Sequence, residues 1–92
     1  MINNINSYKH IATATTTQVF TGRATLVAIV VNTTAAGAIT IYDEIGADVT
    51  NSIGILQASV LPGTFLYNIT MGKGIKIVTA GASDVTIVYR LQ

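Results

Sequence analysis

Residues 23–43 read RATLVAIVVNTTAAGAITIYD, and this stretch decides the fold class. Leu26, Val27, Ile29, Val30 and Val31 form the densest apolar run in the chain, and Ile39, Ile41 and Tyr42 answer it across the small polar spacer Thr33-Thr34-Ala35-Ala36-Gly37. β-Branched residues of this kind fit a pleated surface, and the pattern predicts a central β-hairpin. Residues two apart share a face of a strand. The spacing therefore places Val27, Ile29 and Val31 on one side, and Leu26, Ala28 and Val30 on the other. A strand that is apolar on both faces needs cover on both.

Towards the C-terminus polarity first rises. Residues 44–52 surround only Ile45 and Val49 with Glu44, Gly46, Asp48, Asn51 and Ser52, which reads as a connection, either a short helix or a wide turn. The segment IGILQASV over 53–60 is strand-like if its neighbours are sheet, although its period also fits a helical turn, and Leu61-Pro62-Gly63 stops it with turn chemistry. TFLYNIT over 64–70 alternates Phe65, Tyr67 and Ile69 against Leu66, Asn68 and Thr70. After the turn Met71-Gly72-Lys73-Gly74, residues 75–79 and 84–91 predict a second hairpin, with Val85, Ile87, Tyr89 and Leu91 on the core face. It echoes the first: IVVNTTAAGAITIY and KIVTAGASDVTIVY both set Thr, Ala and Gly between Val-rich and Thr-Ile-rich arms. Towards the N-terminus, HIATATTTQVF over 10–20 predicts one strand with a wet face, broken by Gly22.

Strands at this spacing, parted by Gly-rich turns and with no amphipathic stretch at helical period, predict an all-β fold. The expected architecture is a single-domain antiparallel β-sandwich of about seven to eight strands, jelly-roll or immunoglobulin-like. Residues 1–10 are read as an N-terminal arm and residues 11–92 as the β-sandwich domain. Within the arm, Ile2, Ile5 and Tyr8 are apolar points in an Asn-rich segment. Together with Lys9 and His10 they are the candidate partner contacts.

A chain of 92 residues and 9.6 kDa holds one core, and area scaling buries about 63% of the surface of the unfolded chain. Only 10% of residues are charged, against the usual share of about 25%. The 14 Thr and 6 Asn supply a neutral polar coat, but the two-faced strand leads us to expect cover by other subunits. The net charge of +1 is scattered and offers no footprint for nucleic acid. The absence of cysteine excludes a disulfide framework and thiol catalysis. The start MINNINSYKH lacks the apolar core of a signal peptide, so the expectation is synthesis in a cytoplasm without secretion by that route. The apolar run 24–31 is far short of the ~20 residues that span a bilayer, so no membrane partner is expected.

Convergent chemistry is thin. His10 beside Lys9 reads as a solvated side chain rather than a base. Asp43, Glu44 and Asp48 lack the alternating ligand spacing of a calcium loop and read as a solvated turn. Gly72-Lys73-Gly74 is too short for a phosphate loop and reads as a hairpin turn. Lys73, Lys76 and Arg90 would form a small basic patch beside Tyr89 if the last two strands pair, although three cations release few counterions from a nucleic acid. The expectation is no enzyme and no cofactor.

A Gly and basic residue opening a Leu/Val run that ends VVNT, then ITIYD, PGTF, GKGIKIVTAG and DVTIVYR, over roughly residues 21–90, resembles the small virion structural proteins of tailed bacteriophages, of the capsid decoration or cement type. The resemblance implies a β-sandwich, a homotrimer, and a seat on the outer surface of an icosahedral shell, bound to the major capsid protein and stabilising it. Location in the virion, after synthesis in the host cytoplasm, follows as an expectation. Other expectations from the same reading are a tail or head-tail connector component, or a virion-displayed carbohydrate or host-surface binding module using Tyr42 and Asp43.

Overall fold

The computed structural model describes residues 6–91, so Ile2 and Ile5 lie outside the described residues. Eight strands follow in chain order: β1 (Asn6–Ile11), β2 (Thr15–Thr21), β3 (Ala24–Thr33), β4 (Ile39–Tyr42), β5 (Ser52–Leu56), β6 (Gly63–Met71), β7 (Gly74–Thr79) and β8 (Asp84–Leu91). They form two four-stranded antiparallel sheets, ordered β1-β8-β3-β6 and β2-β7-β4-β5. The expected all-β sandwich is what the chain forms, with eight strands and no helix among the described residues.

The strand order has a simple origin. β1 pairs with β8, β2 with β7, β3 with β6 and β4 with β5, so the chain is one long ribbon doubled back on itself. Rolling the ribbon brings β3 beside β8 and β4 beside β7 and closes two sheets over one core. This is the double-sheet jelly roll, and it selects between the two topologies that the sequence left open.

Rolling also overturns both expected hairpins. β3 and β4 lie in opposite sheets, and so do β7 and β8, so residues 34–38 and 80–83 are arches across the sandwich rather than turns within a sheet. The echo between the two segments is nonetheless structural, because the arches lie side by side. Ala80 N–H donates to the Ala38 carbonyl at 3.0 Å, and a Cβ on Gly37 would stand 2.2 Å from the Gly81 nitrogen. At the opposite end residues 22–23 and 72–73 cross between sheets as a second pair, tied by Gly22 N–H to the Lys73 carbonyl at 2.8 Å. Gly72-Lys73-Gly74 is therefore a crossing between sheets and not a hairpin turn.

The faces of β3 also differ from strict alternation. Its register with β8 slips between Leu26 and Ala28, leaving Val27 as an extra residue, and a bulge of this kind reverses the side-chain phase. Ala24, Leu26, Ile29 and Val31 consequently join the core, and Ala28 and Val30 lie on the outer side. Ile39, Ile41, Ile75, Ile77, Val85 and Ile87 fill the core from both sheets, each fully buried, at roughly 1.5–3 kcal/mol per side chain. Phe20 and Tyr89 close one end with ring centroids 5.7 Å apart. Leu91, expected in the core, is 38% exposed at the end of β8.

The segment expected as one strand over 10–20 breaks at residues 12–14, where the chain passes from β1 in one sheet to β2 in the other. The Thr79 hydroxyl donates to the Thr13 carbonyl at 2.6 Å and fixes that corner. Residues 6–10 of the N-terminal arm are strand residues paired with β8, so removing residues 1–10 would strip most of an edge strand from its sheet.

Candidate functional site

The two outer faces of the sandwich are treated differently. Over the β2-β7-β4-β5 sheet, residues 43–51 fold back as a cover, held by polar side chains of that face. Lys76 is 1% exposed, and its ammonium donates to the Gly46 and Asp48 carbonyls at 2.5 and 2.6 Å. Gln18 Nε2 donates to the carbonyls of Glu44, Phe20 and Ile75. Gly74 leaves room for this packing, since a Cβ there would meet the Phe20 carbonyl oxygen at 2.7 Å and the Ile45 side chain at 2.9 Å.

The acids of residues 43–51 serve the same cover. The Asp43 carboxylate accepts the backbone N–H groups of Gly72, Lys73 and Gly74 at 2.8–3.2 Å. Burial pushes its pKa up, but those three donors outweigh it and hold the carboxyl below the usual range. Glu44 is 2% exposed and accepts from the Thr50 hydroxyl at 2.8 Å and Asn51 N–H at 2.9 Å, with the Lys73 ammonium at 3.4 Å. Its pKa is lowered, first by the Thr50 hydrogen bond and then, against desolvation, by Lys73. A carboxylate so engaged has little left for a ligand: among the described residues no group of three or more His, Cys, Asp or Glu could hold a metal ion.

The expected basic patch does not form. β7 and β8 belong to opposite sheets, Lys76 is buried under residues 43–51, and Arg90 lies on the outer side of the other sheet. Alternation along the sequence could not reveal this, because the partner of Lys76 is a pair of carbonyls 28 and 30 residues away.

The outer face of the β1-β8-β3-β6 sheet carries no such cover among the described residues, and it is the candidate interaction surface. The strand register reads across it in rows. Tyr8, Val88, Ala28 and Leu66 make one apolar row over all four strands, with Tyr8 and Leu66 standing 73% and 72% exposed at its two ends. Val30 lies in the next row, with His10, Thr86 and Thr64. On the other side runs the polar row Asn6, Arg90, Thr25 and Thr70.

One rim of this face is polar and ordered. His10 Nε2 lies 2.7 Å from Asp84 Oδ1, and Asn32 Nδ2 donates to Asp84 Oδ1 at 3.0 Å and to Thr86 Oγ1 at 3.3 Å. The His10 contact, with Asn32 second, lowers the Asp84 pKa. Of the five candidate contacts, Tyr8 and His10 thus point to this outer face, while Lys9 falls in the inward row with Ile87, Ile29 and Phe65. Val88, Ala28 and Leu66 were not among the candidates. The only sequence signal for them is the alternation of β6 and β8, and a bulge hides the place of Ala28.

No family model matches this chain, and neither the curated proteins nor the solved structures yield a significant match.

Proposed function

We propose that this chain is a non-enzymatic virion structural protein that binds the outer surface of a phage capsid and stabilises the shell by bridging neighbouring major capsid subunits. The observation that carries the reading is the asymmetry of the sandwich: one outer face is partly covered by residues 43–51, which leave Ile55 exposed at its edge, and the other presents a four-strand apolar row rimmed by hydrogen-bonded polar groups. An apolar centre with a polar rim is the usual anatomy of a protein interface, and Tyr is favoured as its anchor. The sequence resemblance to decoration proteins supports the same class of partner. The jelly roll adds only an association of architecture, since capsid proteins and lectins both use it.

Tyr8→Ala tests the reading. Tyr8 is mostly exposed, so the fold should be kept, and co-sedimentation with expanded empty capsids should weaken by about tenfold or more, as for an interface anchor. Wild-type protein that ignores capsids, or a variant that binds them equally well, would sink the proposal.

A further inference from the structure

The four sheet edges differ in how they resist pairing with another strand. β1 carries Lys9 in its inward-facing row, and an inward-pointing charge at an edge is a known guard against such pairing. β2 is interrupted by a register shift between Gln18 and Phe20, and β5 has only five residues and a shift of its own. β6 is different. With nine residues it is the longest of the four edges, about 31 Å at the usual rise. Its sequence GTFLYNITM contains no charged residue and no proline. Leu66 and Ile69 are exposed on it, and no described segment other than β3 makes a backbone hydrogen bond to it. Like β2 and β5 it has a register shift, here between Leu66 and Ile69 against β3, around Asn68 held at φ 52°, so its length is what sets it apart from those two edges.

We infer that β6 pairs antiparallel with β6 of a second copy of this chain, about a two-fold axis through Leu66. Main-chain donors and acceptors along an edge are met by water or by another strand, and an uncharged strand approaches its own copy without like-charge repulsion. Pairing at Leu66 also continues the row Tyr8, Val88, Ala28 and Leu66 into its symmetry mate, so one apolar row crosses eight strands. On the inner side it sets Phe65 opposite Tyr67 of the second copy, a favourable cross-strand aromatic pair. Thr64 meets Asn68, whose left-handed backbone ends the paired stretch on either side. The product is an isologous dimer, where the virion resemblance implies a homotrimer, and it forms without any capsid partner.

The chain contains no cysteine, which makes single-cysteine cross-linking clean. Light scattering of the wild-type protein should give twice the 9.6 kDa chain mass. Under mild oxidation Leu66→Cys should form a covalent dimer about tenfold faster than Leu61→Cys, an exposed position off the edge, because only residues near the axis meet the distance limits of a disulfide. Leu66→Lys places two ammonium groups opposite each other and should give a folded monomer by circular dichroism and mass. A wild-type monomer or trimer overturns the pairing, as does equal cross-linking at positions 61 and 66. Loss of capsid binding by Tyr8→Ala leaves all three readouts unchanged, so the two proposals fail separately.

Discussion

At the scale of single residues, this protein spends its few charges on holding backbone in place. Asp43 gathers three amides, Glu44 a hydroxyl and an amide, and Lys76 two carbonyls. The partners of Asp43 and Lys76 lie 28 to 31 residues away, and those of Glu44 six and seven residues on, so residue type alone pointed to a solvated turn and a basic patch. A pH dependence follows from the three carboxyls that lie below their ordinary values, Asp43, Glu44 and Asp84. As pH falls the unfolded chain takes up protons first, at about 3.8 for Asp and 4.5 for Glu. The stabilisation is therefore complete above those values and is lost as pH drops through the lower folded ones. Melting temperature should be level from about pH 8 to pH 5 and then fall below about pH 4. Asp43→Asn should melt lower at neutral pH and show a shallower acid decline. A melting temperature that rises on acidification would contradict this account.

At the scale of elements, the arches matter more than the strands they join. A tight turn would have made a hairpin within one sheet, but five residues of small side chains between β3 and β4 let the chain cross the sandwich. The crossing is possible because Gly37 lies against Gly81 and Ala80 with no Cβ between them. Both arches carry Gly and Ala for this reason, and the echo read in the sequence is a record of their mutual packing. Gly37→Ala forces a methyl group into backbone that cannot give way, and should cost about 3 kcal/mol, the upper range of overpacking. Gly46→Ala meets open space and pays only for its positive φ of 67°, about 1 kcal/mol. Chemical denaturation of the two variants compares them directly. An equal loss would show that the arches do not depend on close approach.

For the whole molecule, topology sets the folding speed. The ribbon closes by pairing Asn6 with Arg90, nearly the full length of the chain apart, and the core is complete only when both ends arrive. Chains dominated by such non-local pairs fold in about milliseconds to seconds. Stopped-flow refolding should fall in that range, and a phase completed within microseconds would be incompatible with this closure. Much of the architecture was legible from the sequence alone. Period-two alternation in residues 64–70 and 84–91, the Val and Ile of residues 23–43, and the Gly-rich breaks sufficed for strands, class and a sandwich, because alternation and β-branching act over a few residues. Strand partners were not legible. Ile39 and Ile41 follow β3 closely in sequence yet pair with β5 and β7, because rolling a ribbon buries more apolar surface than laying its hairpins flat. The bulge at Val27, the burial of Lys76, and the choice of which face stays open depend on neighbours tens of residues away. Local pattern was enough to place most of the extended segments, but not the break at residues 12–14 or the end of β5 at Leu56. Which strands meet and which outer face stays uncovered came from the tertiary structure, since both are set by long-range closure of the sheets around one core.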